Sequence, residues 1–114
     1  MQGAPAEALI GKWLLAYTLR VTTVFKALDD ETRRLILDEL AARDGQSLFE
    51  LCTVLLTRHG VGSTRQAISQ HLAVLEDARL VTTERRGRTK LHYFNSEPLA
   101  AITQRWPTTG RQQP

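Results

Sequence analysis

Five hydrogen-bonding side chains crowd the start of one short segment: Thr64, Arg65, Gln66, Ser69 and Gln70. Arginine and glutamine can each make paired hydrogen bonds to a base edge, and hydroxyl side chains bond bases or phosphates. Between them Ala67, Ile68, Leu72, Val74, Leu75 and Ala78 recur at three- and four-residue spacing. That period predicts a helix with one side on a core and the polar groups on the other. Ser63 stands where a side chain caps the first turn, and Gln66, three residues on, can reach back to close a capping box. Such a cap contributes about 1 kcal/mol. A helix that offers its polar first turns to solvent suits the reading of a DNA groove. An ordinary amphipathic surface helix has the same pattern, so this segment alone leaves both open.

A second cluster follows. Val81-Thr82-Thr83-Glu84-Arg85 is rich in β-branched residues, and Thr89 to Phe94 sets Leu91 and Tyr93 against Lys90, His92 and Phe94. Arg86-Gly87-Arg88 lies between, with a glycine that tolerates the left-handed backbone of a tight reversal. The result is a two-stranded hairpin with Arg85, Arg86, Arg88 and Lys90 near its tip. Cations so crowded, directly after a polar-faced helix, suit contact with backbone phosphates better than a merely solvated loop.

Other elements must hold these two in place. Ser47 opens a short helix through Leu48, Leu51, Val54, Leu55 and Leu56, with Glu50 at the capping-box position. It stops at Thr57 to Gly62, where two glycines allow a turn. A short helix, a glycine turn and a capped helix form the helix-turn-helix pattern. Upstream, Asp30 is the expected N-cap of a helix whose buried side is Leu35, Ile36, Leu37 and Leu40, ending at Arg43-Asp44-Gly45. From about Glu7 to Ala27 a wide apolar stripe includes Leu9, Trp13, Leu14, Tyr17, Val21 and Val24, with Gly11 and Thr22-Thr23 as places for a break. The stripe is broader than one small core needs, which makes Trp13 and Tyr17 candidate anchors for a second chain. Ser96-Glu97-Pro98 restarts a helix with Leu99, Ile102 and Trp106 on one face, and Pro107 stops it. Residues 1–6 and 107–114 read as flexible ends around one domain spanning 7–106.

The chain of 114 residues is 42% hydrophobic and 24% charged, as in soluble globular domains. Its single cysteine, Cys52, can form no internal disulfide and fits a reducing cytoplasm. The apolar run Ala8 to Phe25 is broken by Lys12 and Arg20, which argues for a helix rather than a leader or a membrane span. The net charge of +3 is unevenly placed. Residues 1–62 carry seven basic and eight acidic groups, whereas residues 63–95 carry six and three. The excess therefore gathers on the capped helix and the hairpin, the footprint of a polyanionic partner.

Three stretches resemble the ArsR/SmtB-type bacterial transcriptional regulators. Val24 to Leu37 (VFKALDDETRRLIL) is similar to the segment that opens their winged-helix core. Ile68 to Val81 (ISQHLAVLEDARLV) resembles their recognition-helix signature, and Arg85 to Lys90 followed by His92-Tyr93-Phe94 resembles their wing. The likeness covers roughly residues 21–106. It implies a mainly α winged helix-turn-helix with a small β-hairpin, paired as a homodimer through its N- and C-terminal helices. It further implies a repressor on double-stranded operator DNA, released by a signal. On this reading Ser63, Thr64, Arg65, Gln66, Ser69, Gln70 and His71 lie at or near the major groove, His71 as a half-buried helix residue or phosphate neighbour. Arg85, Arg86, Arg88 and Lys90 meet the backbone or minor groove. Leu9, Trp13, Tyr17, Leu99, Ile102 and Trp106 make the dimer interface.

Two departures from that pattern matter. The turn from Thr57 to Gly62 is longer than the usual one. Metal-sensing members carry two cysteines one residue apart before the turn, whereas Glu50-Leu51-Cys52-Thr53-Val54 keeps one. Their other site takes Asp and His from the last helix, and Glu97 to Trp106 has neither. Soft-metal sites need several converging thiolates or imidazoles, so no metal and no cofactor is expected. Cys52 then reads as a buried apolar residue before a redox sensor. No local spacing supports a Ser/His/Asp or Cys/His arrangement and no phosphate-cradling glycine loop is present, so an enzyme is not expected. The competing reading from another class is a winged-helix protein–protein adaptor without specific DNA binding.

Overall fold

The computed structural model describes residues 6–108, with side chains from Gly11 onward. The flexible ends expected at 1–6 and 107–114 fall mostly outside these residues, as does the side chain of Leu9. The elements run α1 (Ala6–Leu28), α2 (Glu31–Ala42), α3 (Leu48–His59), α4 (Arg65–Asp77), β1 (Val81–Arg86), β2 (Thr89–Phe94) and α5 (Glu97–Arg105). The fold is a winged helix: three helices under a two-stranded antiparallel hairpin, with α1 and α5 laid alongside.

Local chemistry sets most boundaries. Asp30 takes an extended backbone and its carboxylate accepts from the Arg33 N–H, starting α2. That bond, more than the nearby His71 and Arg33 charges, holds the Asp30 carboxyl below its ordinary value. Ser47 and Glu50 close the expected capping box on α3, and the Glu50 carboxyl is lowered by the Ser47 N–H and by Arg43 at 2.9 Å. Gly60 ends α3 in the left-handed region, at φ 66°. Gly87, at φ 61°, starts the hairpin reversal, and the strands pair from Val81 opposite Phe94 to Arg86 opposite Thr89.

Several expectations are corrected. The cap of α4 is Thr64, not Ser63: its hydroxyl accepts from the Ala67 N–H at 3.0 Å. Val61 still belongs to the end of α3 through its N–H on the Leu55 carbonyl, so helical geometry resumes only at Arg65. The third residue after Thr64 is then Ala67, which has no acceptor, and Gln66 closes no box. Helix α1 runs unbroken through Gly11 and Thr22-Thr23, because Thr23 turns its hydroxyl back to the Leu19 carbonyl and competes with nothing outside the helix. Val74 is 37% exposed rather than buried, and Leu56 also faces out. Trp106 is not on the α5 face but just past its end, exposed, with the Arg105 guanidinium stacked over the ring.

The core gathers Val24 and Ala27 of α1, Ile36 and Leu40 of α2, Leu51 and Leu55 of α3, Ile68, Leu72 and Leu75 of α4, and Leu80 and Val81. Truncating any of the buried leucines to alanine costs about 2–5 kcal/mol. Arg33 and Arg34 of α2 tie down the end of α1, donating to the carbonyls of Ala27, Lys26 and Leu28. They satisfy the open carbonyls that a helix end leaves behind.

Candidate nucleic-acid interface

Helix α4 sorts its residues cleanly. Ile68, Leu72 and Leu75 are buried, whereas Thr64, Arg65, Gln66, Ser69 and Gln70 are exposed along the outer side, with Ser63 exposed just ahead of them. Thr64 spends its hydroxyl as the cap, whereas none of Ser63, Arg65, Gln66, Ser69 and Gln70 spends its side chain on a hydrogen bond or ion pair among the described residues. Their donors and acceptors face solvent. The first turn also presents backbone N–H groups and the positive end of the helix dipole, which favours an anion nearby.

The hairpin carries its cations unequally. Arg86 Nε lies 3.3 Å from Glu84 Oε1, and Lys90 Nζ lies 3.3 Å from Glu76 Oε1 on α4. Arg85 and Arg88 have no acidic partner within 4 Å among the described residues. Pairing follows the strand alternation. Arg85 and Lys90 are cross-strand neighbours on the face that continues inward to His92 and Val81, while Glu84 and Arg86 share the opposite face with Tyr93. The Lys90–Glu76 pair thereby links the hairpin to the recognition-helix candidate.

The strand β2 is anchored from its other side by Gln46. Gln46 and His92 form an isolated antiparallel bridge, with backbone bonds of 3.2 and 2.9 Å. The His92 ring, 3% exposed, donates from Nδ1 to the Gln46 carbonyl at 2.8 Å. The Gln46 amide in turn donates to the carbonyls of Glu39 and Arg43. His92 is thus the inward residue of β2 and a structural one.

A helix-turn-helix domain model matches residues 28–84 of this chain. The uncharacterized HTH-type transcriptional regulator YuzN of Bacillus subtilis is 52% identical over 83 residues, which are 73% of this chain and 90% of that protein. The arsenical resistance operon repressor of Staphylococcus xylosus is 36% identical over 74% of each chain. A solved ArsR-like transcriptional regulator from Rhodococcus sp. RHA1 superposes with a TM-score of 0.68 at 32% identity, over 81% of this chain and 78% of that one. The chain belongs to the ArsR-type winged helix-turn-helix transcriptional regulators. It is a regulator and not an enzyme.

Within this ArsR-type chain the remaining candidates are scattered. Cys52 is half-buried against the core, and burial pushes its thiol above the ordinary cysteine value despite the Arg65 charge. His59 is occupied: its Nε2 donates to Glu39 Oε1 at 2.9 Å, with Arg58 3.5 Å from the other oxygen. Among the described residues no three His, Cys, Asp or Glu side chains come together in a group that could hold a metal ion. His71 sits on the flank of α4 toward α2, its Nδ1 3.1 Å from Arg33 Nη1. Nothing in the spacing of the sequence marked Arg33 or Gln46. Both act across the fold, Arg33 on the end of α1 and on α4, Gln46 on β2.

On the far side, Trp13, Leu14, Leu15 and Leu19 are exposed, Trp13 at 77%. Tyr17 is half-buried and donates to the Ala101 carbonyl at 2.9 Å, which joins α1 to α5. Leu99 and Ile102 are partly buried against the core of the chain. No helix among the described residues is long and apolar enough to cross a membrane.

Proposed function

We propose that this regulator is a homodimeric, sequence-specific DNA-binding repressor that works in the cytoplasm and leaves its operator on a non-metal signal. The observation that carries the DNA part is the unspent polar face of α4 beside a hairpin whose Arg85 and Arg88 have no acidic partner among the described residues. Arg65, Gln66, Ser69 and Gln70 read base edges, with Ser63 and Thr64 at the groove entrance. Arg85 and Arg88 meet phosphates most strongly, followed by Arg86 and Lys90. The apolar surface of α1, with Leu9, Trp13 and Tyr17, pairs with that of a second copy, joined by Leu99 and Ile102 of α5 and by Trp106 just past its end. The domain spans 7–106. Repression is supported by the Staphylococcus xylosus relative, itself an operon repressor. A non-metal signal is supported by the lone Cys52 and by a His59 already bonded to Glu39.

The deciding experiment selects duplexes from a random pool with the purified protein and titrates the recovered sequence by fluorescence anisotropy. A two-fold symmetric site with half-sites about one helical turn apart is expected. If each subunit neutralises three or four phosphates, the slope of log affinity against log salt is roughly −5 to −7. Failure to recover or bind any duplex at low salt overturns the proposal and favours the adaptor.

A further inference from the structure

We infer that Arg33 is a positioning residue for the DNA contact: its guanidinium fixes the His71 ring as the Nε2–H form, which donates to a backbone phosphate. This rests on the reading of α4 as the groove-facing helix.

The argument begins with donors and acceptors. Arg33 Nη1 lies 3.1 Å from His71 Nδ1. A guanidinium has only donors, so Nδ1 must accept and carry no hydrogen, and the neutral ring keeps its proton on Nε2. The Arg33 fork cannot turn away, because Nε donates to the Ala27 carbonyl at 2.7 Å and Nη2 to the Lys26 carbonyl at 3.1 Å. One arginine therefore closes the end of α1 and orients a ring on α4. His92 makes a useful contrast: its Nδ1 faces the Gln46 carbonyl, which only accepts, so that ring is held in the opposite tautomer.

The other nitrogen of His71 is the free one. No hydrogen bond reaches Nε2 within the described residues, yet none of their buried side-chain nitrogens or oxygens lacks a partner. Nε2 thus reaches solvent, and the ring side chain is 24% exposed. His71 is displaced from the outer face of Gln66, Ser69 and Gln70 toward α2, where the wall of a groove would stand and not its floor. A donor there meets phosphate, which positions a helix without reading sequence. The charged groups that face the ring are both from α2: Arg33, and Asp30, whose Oδ2 is 3.8 Å from Nδ1.

The test uses the full chain in two arms. In the first, two-bond proton–nitrogen NMR of 15N-histidine-labelled protein in slightly alkaline buffer reads the ring. The Nε2–H signature is expected for His71 and the opposite one for His92, and Arg33→Met should turn His71 into a tautomer mixture while His92 stays. An Nδ1–H ring in the wild type, or an unchanged His71 in Arg33→Met, overturns the positioning role. In the second arm, labelled duplexes (the selected sequence and a random one of equal length) are titrated against His71→Asn and His71→Gln. Asparagine keeps an acceptor near the Nδ1 position but no donor at Nε2, while glutamine places an amide donor near Nε2. His71→Asn should weaken both duplexes alike, by about tenfold or more, as expected for a charge-assisted hydrogen bond. Its salt slope should not change, since a neutral donor releases no counterion. His71→Gln should stay within about twofold of wild type. A loss confined to the selected duplex means that the ring reads a base, and it overturns the phosphate contact. Should the wild type bind neither duplex, the DNA-binding reading itself fails and the phosphate contact with it, while the ring signatures still decide what Arg33 does.

Discussion

Around α4 and the hairpin the chain covers most of its large apolar side chains, whereas along α1 it leaves several in solvent. The first region buries Ile68, Leu72, Leu75, Leu80 and Val81, answers its buried polar atoms among the described residues, and shows solvent a mostly polar surface of hydroxyls, amides and charged groups. The second shows solvent Trp13, Leu14, Leu15 and Leu19 on a helix that is apolar on more than one side. A helix apolar all round belongs in a core, and patches of this kind mark association sites. The difference teaches that one chain carries two kinds of unspent chemistry: polar groups that suit a polyanion, and apolar area that suits a second protein surface.

Breaking the apolar region should have the largest effect. Trp13→Glu combined with Leu19→Glu is expected to yield a folded monomer by sedimentation, with far-UV circular dichroism unchanged. Its affinity for a two-half-site duplex should fall about a hundredfold or more, because the second contact is no longer tethered to the first. A variant that still sediments as a dimer would place the interface elsewhere.

The polar region divides into reading and gripping. Gln66→Ala should cost about 1–3 kcal/mol on the selected duplex and nothing on random DNA. Equal losses on both would remove base reading from that position. Gripping should follow the pairing of the cations: Arg88→Ala, which removes one contact from each subunit, lowers the magnitude of the salt slope by about 1.8, while Arg86→Ala, whose charge already faces Glu84, lowers it less. Glu76→Gln, which frees Lys90, should tighten binding to every sequence alike.

The smallest effect concerns the caps that start α2 and α3. The Asp30 and Glu50 carboxyls are held below their ordinary values of 3.8 and 4.5 by backbone N–H groups. Groups lowered by folding stabilise the native state above those values and lose that contribution as pH falls through the lowered ones. Acid denaturation followed by circular dichroism should therefore be shallower for Asp30→Asn and Glu50→Gln than for wild type. At neutral pH each exposed cap charge contributes less than about 1 kcal/mol. An identical acid profile would remove these caps from the account.

What the sequence shows and hides follows the range of each interaction. The Asp30 cap, the Ser47–Glu50 box and the Gly87 reversal are each settled within three or four residues, so residue order alone displays them. The choice between Ser63 and Thr64 was not settled that way. Both carry a capping hydroxyl, and only the closure of α3 through Val61 decides between them. The bonds that hold the candidate interface in place join residues 38 apart for Arg33 and His71, 46 apart for Gln46 and His92, and 20 apart for Glu39 and His59. No period or local motif announces such pairs. Val74 differs for a related reason: it continues the apolar spacing of α4, but its side of the helix stays partly open to solvent among the described residues.

The bridge between Gln46 and His92 has a bearing on thermodynamics. A hairpin bolted at mid-strand to the segment joining α2 and α3 cannot swing as a loose arm. A duplex arriving at it meets side chains whose backbone is already ordered, so little chain entropy is lost on docking. The wing should accordingly act as a rigid gauge, accepting only those approach angles that bring α4 into the groove at the same moment.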